Sequence, residues 1–529
     1  MNEEIVLTGN LIIEPGGNLT FVNGTLYMNC AYDGEWQIVV NSTGTFNVLD
    51  GSVITAYDPE YEFLFYVYGS LIMRDSELHE CGYDYDYPGL CIIESDEGVV
   101  IENSTISDNF SGISCYESSS ITVSGCNISY NGYGILCEYS SNITISRCNI
   151  SYNGDGINCW DSSSIAVLGC NISYNGHAIG CCYSSNITVS GCKVSYNEHG
   201  GIDCWGSSDV TVSGCKIGDN LKGVLLYFSS NVTIIGNTFV NNGVDIWGEL
   251  KHCIHDIRNN TVNGKPLMYI LNATGYSVPP NAGEVIIVNS INVLVSGANL
   301  SNTDTSIEVL YSNNTSIEDC VIKSNFVGIA CSFSNGLNIS GCDISNNDWE
   351  GILCYESSNI MIYKCVISYN VEFGGIYCHD SSNVSVHYCD IIGNVGHGLY
   401  NSGPYLVNAT HNWWGSPDGP EYKEEGDPYD PEEVYSDYGP EYLIYEPWLA
   451  ESMIRDTIPP TIIIKYPPDG AFVAGEINIT VEITDVGTGI VNETLYIDGF
   501  IATQGKGWPP YNRTSFTYCL LYTSPSPRD

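Results

Sequence analysis

The apolar and polar positions of residues 126–192 repeat with a fixed period. Cysteines stand eleven residues apart, and the text around them repeats every twenty-two residues. Within residues 134–153, apolar side chains alternate with polar ones in three short bursts, which Gly, Asn, Ser and Tyr residues separate. This alternation predicts short strands, and no stretch has helical spacing. Each repeat is therefore predicted to form three strands, and successive repeats to stack as coils of an all-β parallel helix.

Equivalent residues of successive coils are predicted to form columns, because paired parallel strands lie about 4.8 Å apart. The cysteine register returns between Cys320 and Cys389, and Asn237 takes the cysteine position in one coil, where its amide can hydrogen-bond along the stack. The predicted inward columns are Cys115, Cys137, Cys159, Cys181 and Cys204; Cys126, Cys148, Cys170, Cys192 and Cys215; and Ile135, Ile157, Ile179 and Ile202.

The 23 cysteines allow either a disulfide framework or buried free thiols. Stacked cysteines have parallel Cα–Cβ directions that hold the sulfurs apart, which favours free thiols in the columns. Zinc is disfavoured, because the columns lack paired Cys-x-x-Cys spacing. Cys182 is predicted to point outward, and the off-column Cys30, Cys81, Cys91 and Cys253 are the predicted disulfide candidates.

Two motifs connect the repeats to a known family. Residues 260–267 read NTVNGKPL, and Asn281-Ala282-Gly283 precedes an apolar strand. With their flanking coils, they resemble the NosD-type branch of the parallel β-helix repeat (PbH1) family over roughly residues 100–415. The text NWWGSPDGP at 412–420 is similar to the closing motif of many such helices. The resemblance implies a right-handed helix of the pectin-lyase-like type, grouped with carbohydrate-binding and sugar-hydrolase proteins of the cell surface or periplasm. Parallel connections share this right-handed bias.

Composition divides the chain into five predicted segments. Residues 1–100 are expected to form irregular coils that cap the helix, and residues 101–415 the regular repeats. Residues 416–455 are acidic and rich in Pro and Tyr, which indicates a solvated linker, with a calcium site as the alternative. Residues 456–518 resemble a truncated bacterial immunoglobulin-like (Ig-like) β-sandwich, and residues 519–529 are interpreted as a non-native tail.

The formal net charge of −46, with only 16 Lys and Arg residues, argues against nucleic acid and anionic membrane surfaces as partners. No stretch is long and apolar enough for membrane insertion. Met1 opens directly into strand text without a signal peptide, so the chain is interpreted as a mature form or as the inside of a longer gene product. Apart from the calcium alternative, no cofactor is predicted.

An aromatic and acidic column follows the first strand of each coil. Aromatic faces pack on sugar rings and carboxylates bind sugar hydroxyls, so the column predicts a polysaccharide groove. The alternative is an ordinary stacked column that stiffens the solenoid. The candidate carbohydrate-binding residues are Tyr116, Tyr139, Trp160, Trp205, Tyr227 and Tyr355, and a second column, Tyr130, Tyr152, Tyr174, Tyr196 and Tyr369, has the same two interpretations.

The same face supplies candidate catalytic residues, which are Asp161, Glu117, Asp203 and His397. Inverting glycosidases need two carboxyls roughly 6.5–9.5 Å apart, and two coils supply about that span. Gly396-His397-Gly398 resembles a polygalacturonase motif, but the other motifs of that family are missing from the adjacent coils. A lyase would need a well-placed Arg or Lys as its base, and arginine occurs only six times. These observations lean against catalysis.

Two further sets of residues have both a functional and a structural interpretation. His252, Cys253 and His255 are candidate ligands for copper or zinc, but they adjoin the turn motif of the family, which favours a structural role. Asn-x-Ser/Thr triplets are candidate glycosylation sites, or a by-product of Asn in turns before outward Ser or Thr. The outward-facing candidates are Asn127, Asn149 and Asn171.

Three functions follow from these patterns. The preferred one is a non-catalytic extracellular or cell-envelope scaffold that binds carbohydrate or a cell-wall component along the aromatic–acidic column. The second is a polysaccharide-active enzyme, a glycoside hydrolase or lyase, working on the same face. The third is a periplasmic copper-handling protein, which follows only from the NosD-type resemblance.

Overall fold

The computed structural model describes residues 3–422 and 433–452, and the backbone of five further strands between 461 and 522. Residues 3–422 and 433–452 form an all-β parallel solenoid of about 18 turns with almost no helix. The two short 3-10 helices described are Leu250–His252 and Pro440–Tyr442. The chain divides into unit 1, Met1–Asp343 with Ile352–Met361, and unit 2, Ile344–Gly351 with Ile362–Asp529.

The first part of unit 1 winds through three parallel sheets. Sheet I contains Glu3–Leu7, Gly24–Met28, Val53–Ala56, Glu77–His79, Thr105–Ser107, Asn127–Ser129, Asn149–Ser151, Asn171–Ser173, Lys193–Ser195, Lys216–Gly218, Thr238–Val240 and Thr261–Val262. Sheet II contains Leu11–Ile13, Gln37–Val40, Leu64–Val67, Gly89–Ile93, Ser111–Tyr116, Tyr133–Glu138, Asp155–Trp160, His177–Cys182, Gly200–Trp205, Lys222–Tyr227 and Val244–Trp247. Sheet III contains Asn18–Val22, Thr45–Leu49, Ser70–Arg74, Val99–Glu102, Ser119–Ser124, Ser141–Ser146, Ser163–Leu168, Ser185–Ser190, Thr211–Ser213, Thr233–Ile235 and Asp256–Arg258.

A hairpin interrupts this pattern at the family-like motif. Thr261–Val262 pairs antiparallel with Lys265–Leu271 across Asn263 and Gly264, which both have positive φ angles, of 51° and 78°. An Asn-Gly pair is the preferred two-residue hairpin turn, because both positions require such angles. Lys265–Leu271 then pairs in parallel with Glu284–Val288, and a new stack begins.

The strands that follow the hairpin resume three per coil. In chain order they are Ser277–Val278, Glu284–Val288, Leu294–Ser296, Asn299–Ser301, Thr305–Leu310, Asn313–Glu318, Val321–Lys323, Val327–Ser332, Asn335–Ser340, Asp343–Ser345, Glu350–Tyr355 and Ser358–Tyr363. Glu284–Val288, Thr305–Leu310 and Val327–Ser332 pair in parallel, in that order.

The predicted columns are confirmed in unit 1. The cysteines of the first column, Cys115 to Cys204, occupy matching register positions of sheet II, and so do the isoleucines of the third. In the second column, the backbone N–H of Cys170 lies 3.4 Å from the sulfur of Cys192. These side chains are buried. Each buried isoleucine stabilises the fold by about 1.5–3 kcal/mol, because its apolar surface is removed from contact with water.

Asn237 lies where the cysteine column predicts it, and its Oδ1 accepts the backbone N–H of Cys215 at 2.8 Å. A second, longer asparagine column was not predicted. In it each backbone N–H donates to the Oδ1 of the next residue, through Asn109, Asn131, Asn153, Asn175, Asn197, Asn220 and Asn242. These buried amides satisfy backbone groups at the turn of each coil, so the turn is fixed by hydrogen bonds as well as by packing.

The predicted disulfides are wrong. Cys30, Cys81, Cys91 and Cys253 are free thiols in this structure and are all buried, and Cys30, Cys81 and Cys253 belong to the apolar core of unit 1. There they occupy space as small apolar side chains, as the column cysteines do. Cys182 is partly exposed and shares an outward register position with Trp160 and Trp205, as predicted.

Unit 2 has strands of two kinds. Its parallel strands include Val366–Ser368, Gly374–His379, Ser382–His387, Asp390–Ile392, Leu399–Asn401, Val407–Asn408, Glu421–Tyr422, Glu433–Ser436 and Leu443–Ile444. Glu433–Ser436 pairs with Leu399–Asn401, and Leu443–Ile444 with Val407–Asn408. The stretch predicted as a linker therefore contributes strands to the stack, because its apolar Val434 and Leu443 are buried there.

The remaining strands of unit 2 are antiparallel. They are Thr461–Tyr466, Gly475–Thr484, Ile490–Ile497, Phe500–Tyr511 and Arg513–Tyr522, arranged as a three-stranded and a two-stranded sheet. The Ig-like module stays a prediction. Residues 519–522 of the predicted non-native tail belong to the last strand, and residues 523–529 lie outside the described residues.

Candidate functional site

A row of aromatic side chains, here called the aromatic strip, lies at the C-terminal ends of the strands of sheet II. One register position carries Tyr116, Trp160, Trp205, Tyr227 and Trp247, and the adjoining turns carry Tyr139, Tyr183 and Phe228. Ring centroids lie 5.8 Å apart for Tyr116–Tyr139, 6.4 Å for Trp160–Tyr183 and 4.2 Å for Trp205–Tyr227. Tyr139, Trp160 and Trp205 are exposed by 57%, 42% and 48%. Ring surface is therefore open to solvent in coil after coil.

Carboxylates alternate with these rings. Glu138 occupies the strand position between Tyr116 and Trp160, while Glu117 and Asp161 are exposed on turns. The Tyr85 hydroxyl donates to Glu138 Oε1 at 2.5 Å, and this hydrogen bond raises the pKa of Tyr85 to about 12. The predicted aromatic and acidic column thus exists as one surface of unit 1, in which both kinds of side chain reach solvent.

Beside the strip, Asp203 pairs with His177. The two side chains are 2.6 Å apart, at Oδ2 and Nδ1, and this hydrogen bond raises the pKa of His177. Glu117 and Asp161 lie on turns that follow strands of the same sheet, and a catalytic role for Asp161, Glu117 and Asp203 stays a prediction. They remain candidates for contact with a ligand.

Val244–Trp247 is the last strand of sheet II, and carboxylates from the next stack complete its hydrogen bonds. The Val244 N–H donates to Glu284 Oε1 at 2.9 Å, and the Ile246 N–H donates to Glu308 Oε2 at 3.3 Å. The Gly223 N–H, one coil earlier, donates to Asp304 at 2.6 Å, and the side-chain amide of Asn242, just before the strand, donates to the same carboxylate at 3.0 Å. A sheet edge normally leaves such N–H groups open, so these acids have a structural role.

One ion pair lies among these acids. The Lys222 ammonium contacts Asp245 Oδ2, and the Phe326 ring centroid lies 3.9 Å from the same nitrogen. Burial alone would lower the pKa of Lys222, but the charges of Asp245 and Asp304 outweigh it and raise the pKa. Although burial opposes it, Lys222 lowers the pKa of Asp245. Both members of the pair are therefore charged at neutral pH.

The pKa of Glu308 shifts in the opposite direction to that of Asp245. Burial raises its pKa well above the ordinary value, and the negative charge of Asp245 adds to the rise. Burial also raises the pKa of Asp304 to about 6. Burial thus favours the neutral form of Glu308, whereas the charge of Lys222 favours the ionised form of its neighbour Asp245. A neutral acid next to a carboxylate is the arrangement that general acid–base chemistry uses.

A pocket of about 260 Å³ opens above this group. Its polar part consists of Lys222, Asp245, Thr305, Glu308 and Ser332, and Trp247 and Tyr227 connect it to the end of the aromatic strip. The centroid of the Tyr355 ring lies 4.8 Å from that of the Trp247 ring. Tyr355, one of the predicted carbohydrate-binding residues, therefore lies at the same end of the aromatic strip. The apolar lining of the pocket comprises Leu225, Ile246, Leu310, Val327, Ala330 and Leu353.

The sequence did not identify Lys222, Asp245, Glu284, Asp304 or Glu308. In the printed sequence, charged residues at strand positions with apolar neighbours, such as Glu308 in TSIEVL, are the signal that could have pointed to them. A charged side chain is rarely buried unless it has a partner or a function. Their convergence depends on the stack that begins after the hairpin, which the repeat pattern does not show.

The remaining predicted sites are the metal-ligand candidates and the catalytic candidate His397. His255 is buried, which lowers its pKa to about 4, whereas His252 is partly exposed on its short helix. Among the described residues, no group of three or more His, Cys, Asp or Glu side chains is arranged to hold a metal ion. His397, in unit 2, stacks on Tyr435 at 5.4 Å. A copper site and a catalytic His397 stay predictions.

The three predicted glycosylation residues form a surface row. Nδ2 of Asn149 donates to Asn127 Oδ1 at 2.9 Å, and Nδ2 of Asn171 donates to Asn149 Oδ1 at 2.7 Å. In the second tyrosine column, the Tyr130, Tyr152, Tyr174 and Tyr196 rings stack with centroids 5.1–5.4 Å apart. Such close stacking hides the ring faces, so a ligand would meet ring edges and hydroxyls there.

A family model described as a right handed beta helix region matches residues 10–172, 166–282 and 257–413. The chain belongs to the right-handed β-helix family. The predicted handedness is thereby confirmed, while the NosD-type branch stays a prediction. No curated protein sequence gives a significant match. Among the described residues, no helix has the length and apolar character needed to span a bilayer.

Solved structures with a similar backbone include the periplasmic alginate epimerase AlgG, at 13% identity and a TM-score of 0.33, covering 62% of this chain and 76% of that one. The pectate lyase Pel9A is 14% identical, with a TM-score of 0.24 over 52% and 71% of the two chains. PfbA, a surface adhesin of Streptococcus pneumoniae, is 11% identical, with a TM-score of 0.23 over 85% and 91%. Similarities of this size carry no information about the activity of this β-helix.

Proposed function

We propose that this β-helix binds a polysaccharide along the aromatic strip. The observation that carries the proposal is the run of exposed rings in successive coils, with carboxylates between them. A pyranose ring packs its C–H face on an aromatic face, and its hydroxyls donate hydrogen bonds to carboxylates. A ligand of polymer length can use several coils at once, and each added contact multiplies the affinity. Location outside the cell or in its envelope, where such polymers occur, is part of the proposal.

The test is retention of the protein in native gels that contain a soluble polysaccharide, run over a panel of neutral, amino and acidic polymers. Trp160→Ala combined with Trp205→Ala removes two exposed rings from the strip and is expected to weaken retention at least tenfold, about 1.4 kcal/mol. Tyr152→Ala combined with Tyr174→Ala removes two exposed rings from the tyrosine column and is the matched control. Equal loss in both double variants, or no retention of the wild type by any polymer, would contradict the proposal.

A polysaccharide-active enzyme is the second candidate function. It is favoured by Glu308 and Asp245, whose pKa values are shifted in opposite directions beside the Trp247 end of the strip. In this function Glu308 would donate a proton to the leaving oxygen as the glycosidic bond breaks. Asp245 would accept the proton of the water that bonds to the anomeric carbon or, in a lyase, the C5 proton that is lost as the double bond forms. Release of reducing sugars or of unsaturated products from the same polymer panel is the measurement. Turnover that persists unchanged in Asp245→Asn would exclude this centre.

A further inference from the structure

Rings and carboxylates alternate over three successive coils of the aromatic strip. Each of these coils presents two neighbouring side chains there, the last residue of its sheet II strand and the first residue of the following turn. One of the two is a ring and the other is an acid, and their order reverses from coil to coil. Every carboxylate therefore has a ring beside it on its own coil and on an adjacent one. These six residues, here called the alternating patch, are Tyr116 with Glu117, Tyr139 with Glu138, and Trp160 with Asp161.

The alternating patch is open to solvent and is held on a regular backbone. Its three rings are exposed, as are Glu117 and Asp161, and Glu138 is partly exposed. The turns follow the register of the strands, because the Glu117 N–H donates to Glu138 O and the Tyr139 N–H donates to Trp160 O, both at 3.0 Å. Neighbouring coils are about 4.8 Å apart, so rings and acids recur at a fixed spacing along the strip.

The basic residues of these coils lie away from the alternating patch. Between residues 101 and 250 they are Arg147, Lys193, Lys216 and Lys222. Lys193 and Lys216 begin strands of sheet I, and Arg147 lies on the turn that leads to a strand of sheet I, whereas the patch belongs to sheet II. Lys222 is in sheet II but contacts Asp245. The carboxylates of the patch therefore give the aromatic strip a negative charge that these side chains do not neutralise.

This combination of groups favours a cationic ligand. An ammonium group forms charge-assisted hydrogen bonds with a carboxylate, which are stronger than those of a neutral hydroxyl. It is also attracted to the face of an aromatic ring, and here a ring stands next to every acid. A ligand carboxylate meets like charge instead, within a Debye length of about 10 Å at 0.1 M salt. Each exposed contact is weak, but a polymer repeats it from coil to coil.

We propose that the alternating patch selects amino-sugar polysaccharides. The glycan on the aromatic strip carries ammonium groups, and each ammonium lies against a carboxylate and the ring beside it. Neutral polymers bind more weakly, through ring packing and hydroxyl groups, and uronate polymers are repelled. This inference rests on the proposed polysaccharide binding, and it adds the charge class of the polymer.

The first experiment compares four hexasaccharides by isothermal titration calorimetry with the full chain, at a pH where sugar amino groups are protonated. Cellohexaose, N-acetylated chitohexaose, deacetylated chitohexaose and the matching glucuronate hexamer share linkage and ring configuration, so each comparison changes one substituent. We expect the deacetylated hexamer to bind at least tenfold more tightly than both neutral hexamers. The glucuronate hexamer should bind at least tenfold more weakly than cellohexaose.

Added NaCl provides a second readout, because it should weaken binding of the ammonium form and leave the neutral hexamers unaffected. Three results overturn the inference. They are equal affinity of the deacetylated and neutral hexamers, glucuronate binding as tight as that of cellohexaose, and no binding of any hexamer.

The second experiment distinguishes the patch from general attraction of a cation to a chain of net charge −46. Glu138→Gln combined with Asp161→Asn removes two charges from the patch and retains oxygen acceptors. We expect binding of the deacetylated hexamer to fall at least tenfold, and that of cellohexaose to fall less than threefold. Glu198→Gln combined with Asp209→Asn removes two charges at exposed positions outside the strip and is the matched control, which should bind as the wild type does.

Equal loss in the two double variants, or no loss in the patch variant, shows that the ammonium groups are held elsewhere and overturns the inference. The gel assay separates this failure from that of the proposed function. If the wild type retains a polymer but ammonium groups give no advantage, the inference fails and strip binding stands. If the wild type retains no polymer, the proposed function fails and the inference fails with it. Thermal unfolding checks that each variant is folded.

Discussion

Glu62 is a half-buried titratable residue outside the candidate site. Its Oε2 is buried without a hydrogen-bond partner, and burial together with the negative charges of Asp33 and Glu80 raises its pKa to about 7. Its ordinary value is 4.5. The folded chain therefore holds this proton more tightly than the unfolded chain does, so the free energy of unfolding falls as pH rises from about 4.5 to 7.

Glu62→Gln is expected to remove that fall, because the amide has no proton to lose. Relative to the wild type, the variant should gain about 1 kcal/mol between pH 4.5 and 7, after allowance for solvent screening at this partly exposed group. Urea unfolding at several pH values measures the difference, with the exposed Glu60→Gln as control. A difference between variant and wild type that is flat over this window would contradict the argument.

Asn153 belongs to the buried asparagine column. Its Nδ2 donates to Ile128 O at 3.1 Å and to Asn175 Oδ1 at 3.0 Å, and its own Oδ1 accepts the Asn131 N–H at 3.0 Å. Asn153→Ala leaves these groups buried and unpaired, and we expect a loss of about 2–4 kcal/mol in the free energy of unfolding. Amide hydrogen exchange of the two neighbouring coils should accelerate with it.

Asn149→Ala is the control for that prediction. Asn149 lies in a column of the same spacing on the exposed surface, where water can replace its hydrogen bonds. A loss below about 0.5 kcal/mol is expected there. Equal losses of unfolding free energy in the two variants would show that the buried amide hydrogen bonds stabilise the fold no more than the exposed ones do.

Residues of the core could be predicted from the sequence, but residues of the pocket could not. The cysteine and isoleucine columns follow from a period of twenty-two, because the period alone decides which residue lies above which. The asparagine column has the same period, yet Asn-Gly text is also ordinary turn chemistry, so only the register shows one amide above another. Glu308 and Lys222 are 86 positions apart in sequence, and no local pattern connects them.

At the scale of elements, the strand Val244–Trp247 is the point at which one stack ends and another begins. Gly243, just before it, packs so closely that an added Cβ would overlap Glu284 Oε2 and Thr303 Oγ1. Glu284 accepts the Val244 N–H of this strand, and the Thr303 hydroxyl donates to the other oxygen of Glu284. The NTVNGKPL motif at 260–267 stands out in the sequence, but the carboxylates that cap the strand edge converge only in the folded chain.

Gly243→Ala is therefore expected to displace Glu284 and to lower the free energy of unfolding by about 1–3 kcal/mol, as overpacking of a buried site does. Gly9→Ala is the matched control, because a Cβ at Gly9 would meet nothing within 4 Å. Thermal unfolding compares the two. Retention of wild-type stability by Gly243→Ala would show that Glu284 can move at no cost.

For the molecule as a whole, the dominant quantity is the excess of 62 acidic over 16 basic residues. Repulsion among these charges opposes folding at neutral pH, and salt screens it, since the Debye length falls from about 30 Å at 0.01 M to about 3 Å at 1 M. We expect the midpoint of thermal unfolding at pH 7 to rise by about 5 °C or more over this range of NaCl. The rise should shrink near pH 4, where carboxylates begin to take up protons. A midpoint that falls or stays constant at pH 7 would contradict this.

The near-identity of successive coils has a consequence for how the gene can change. Residues 132–153 and 154–175 place the same kinds of side chain in the same positions, and the first coil pairs with its neighbour as the second does. Excision or duplication of one such block would join ends that already match, and every column would close again one layer shorter or longer. Homologous genes can therefore differ in length by whole multiples of this block, each step removing or adding one coil and the side chains that it presents to solvent.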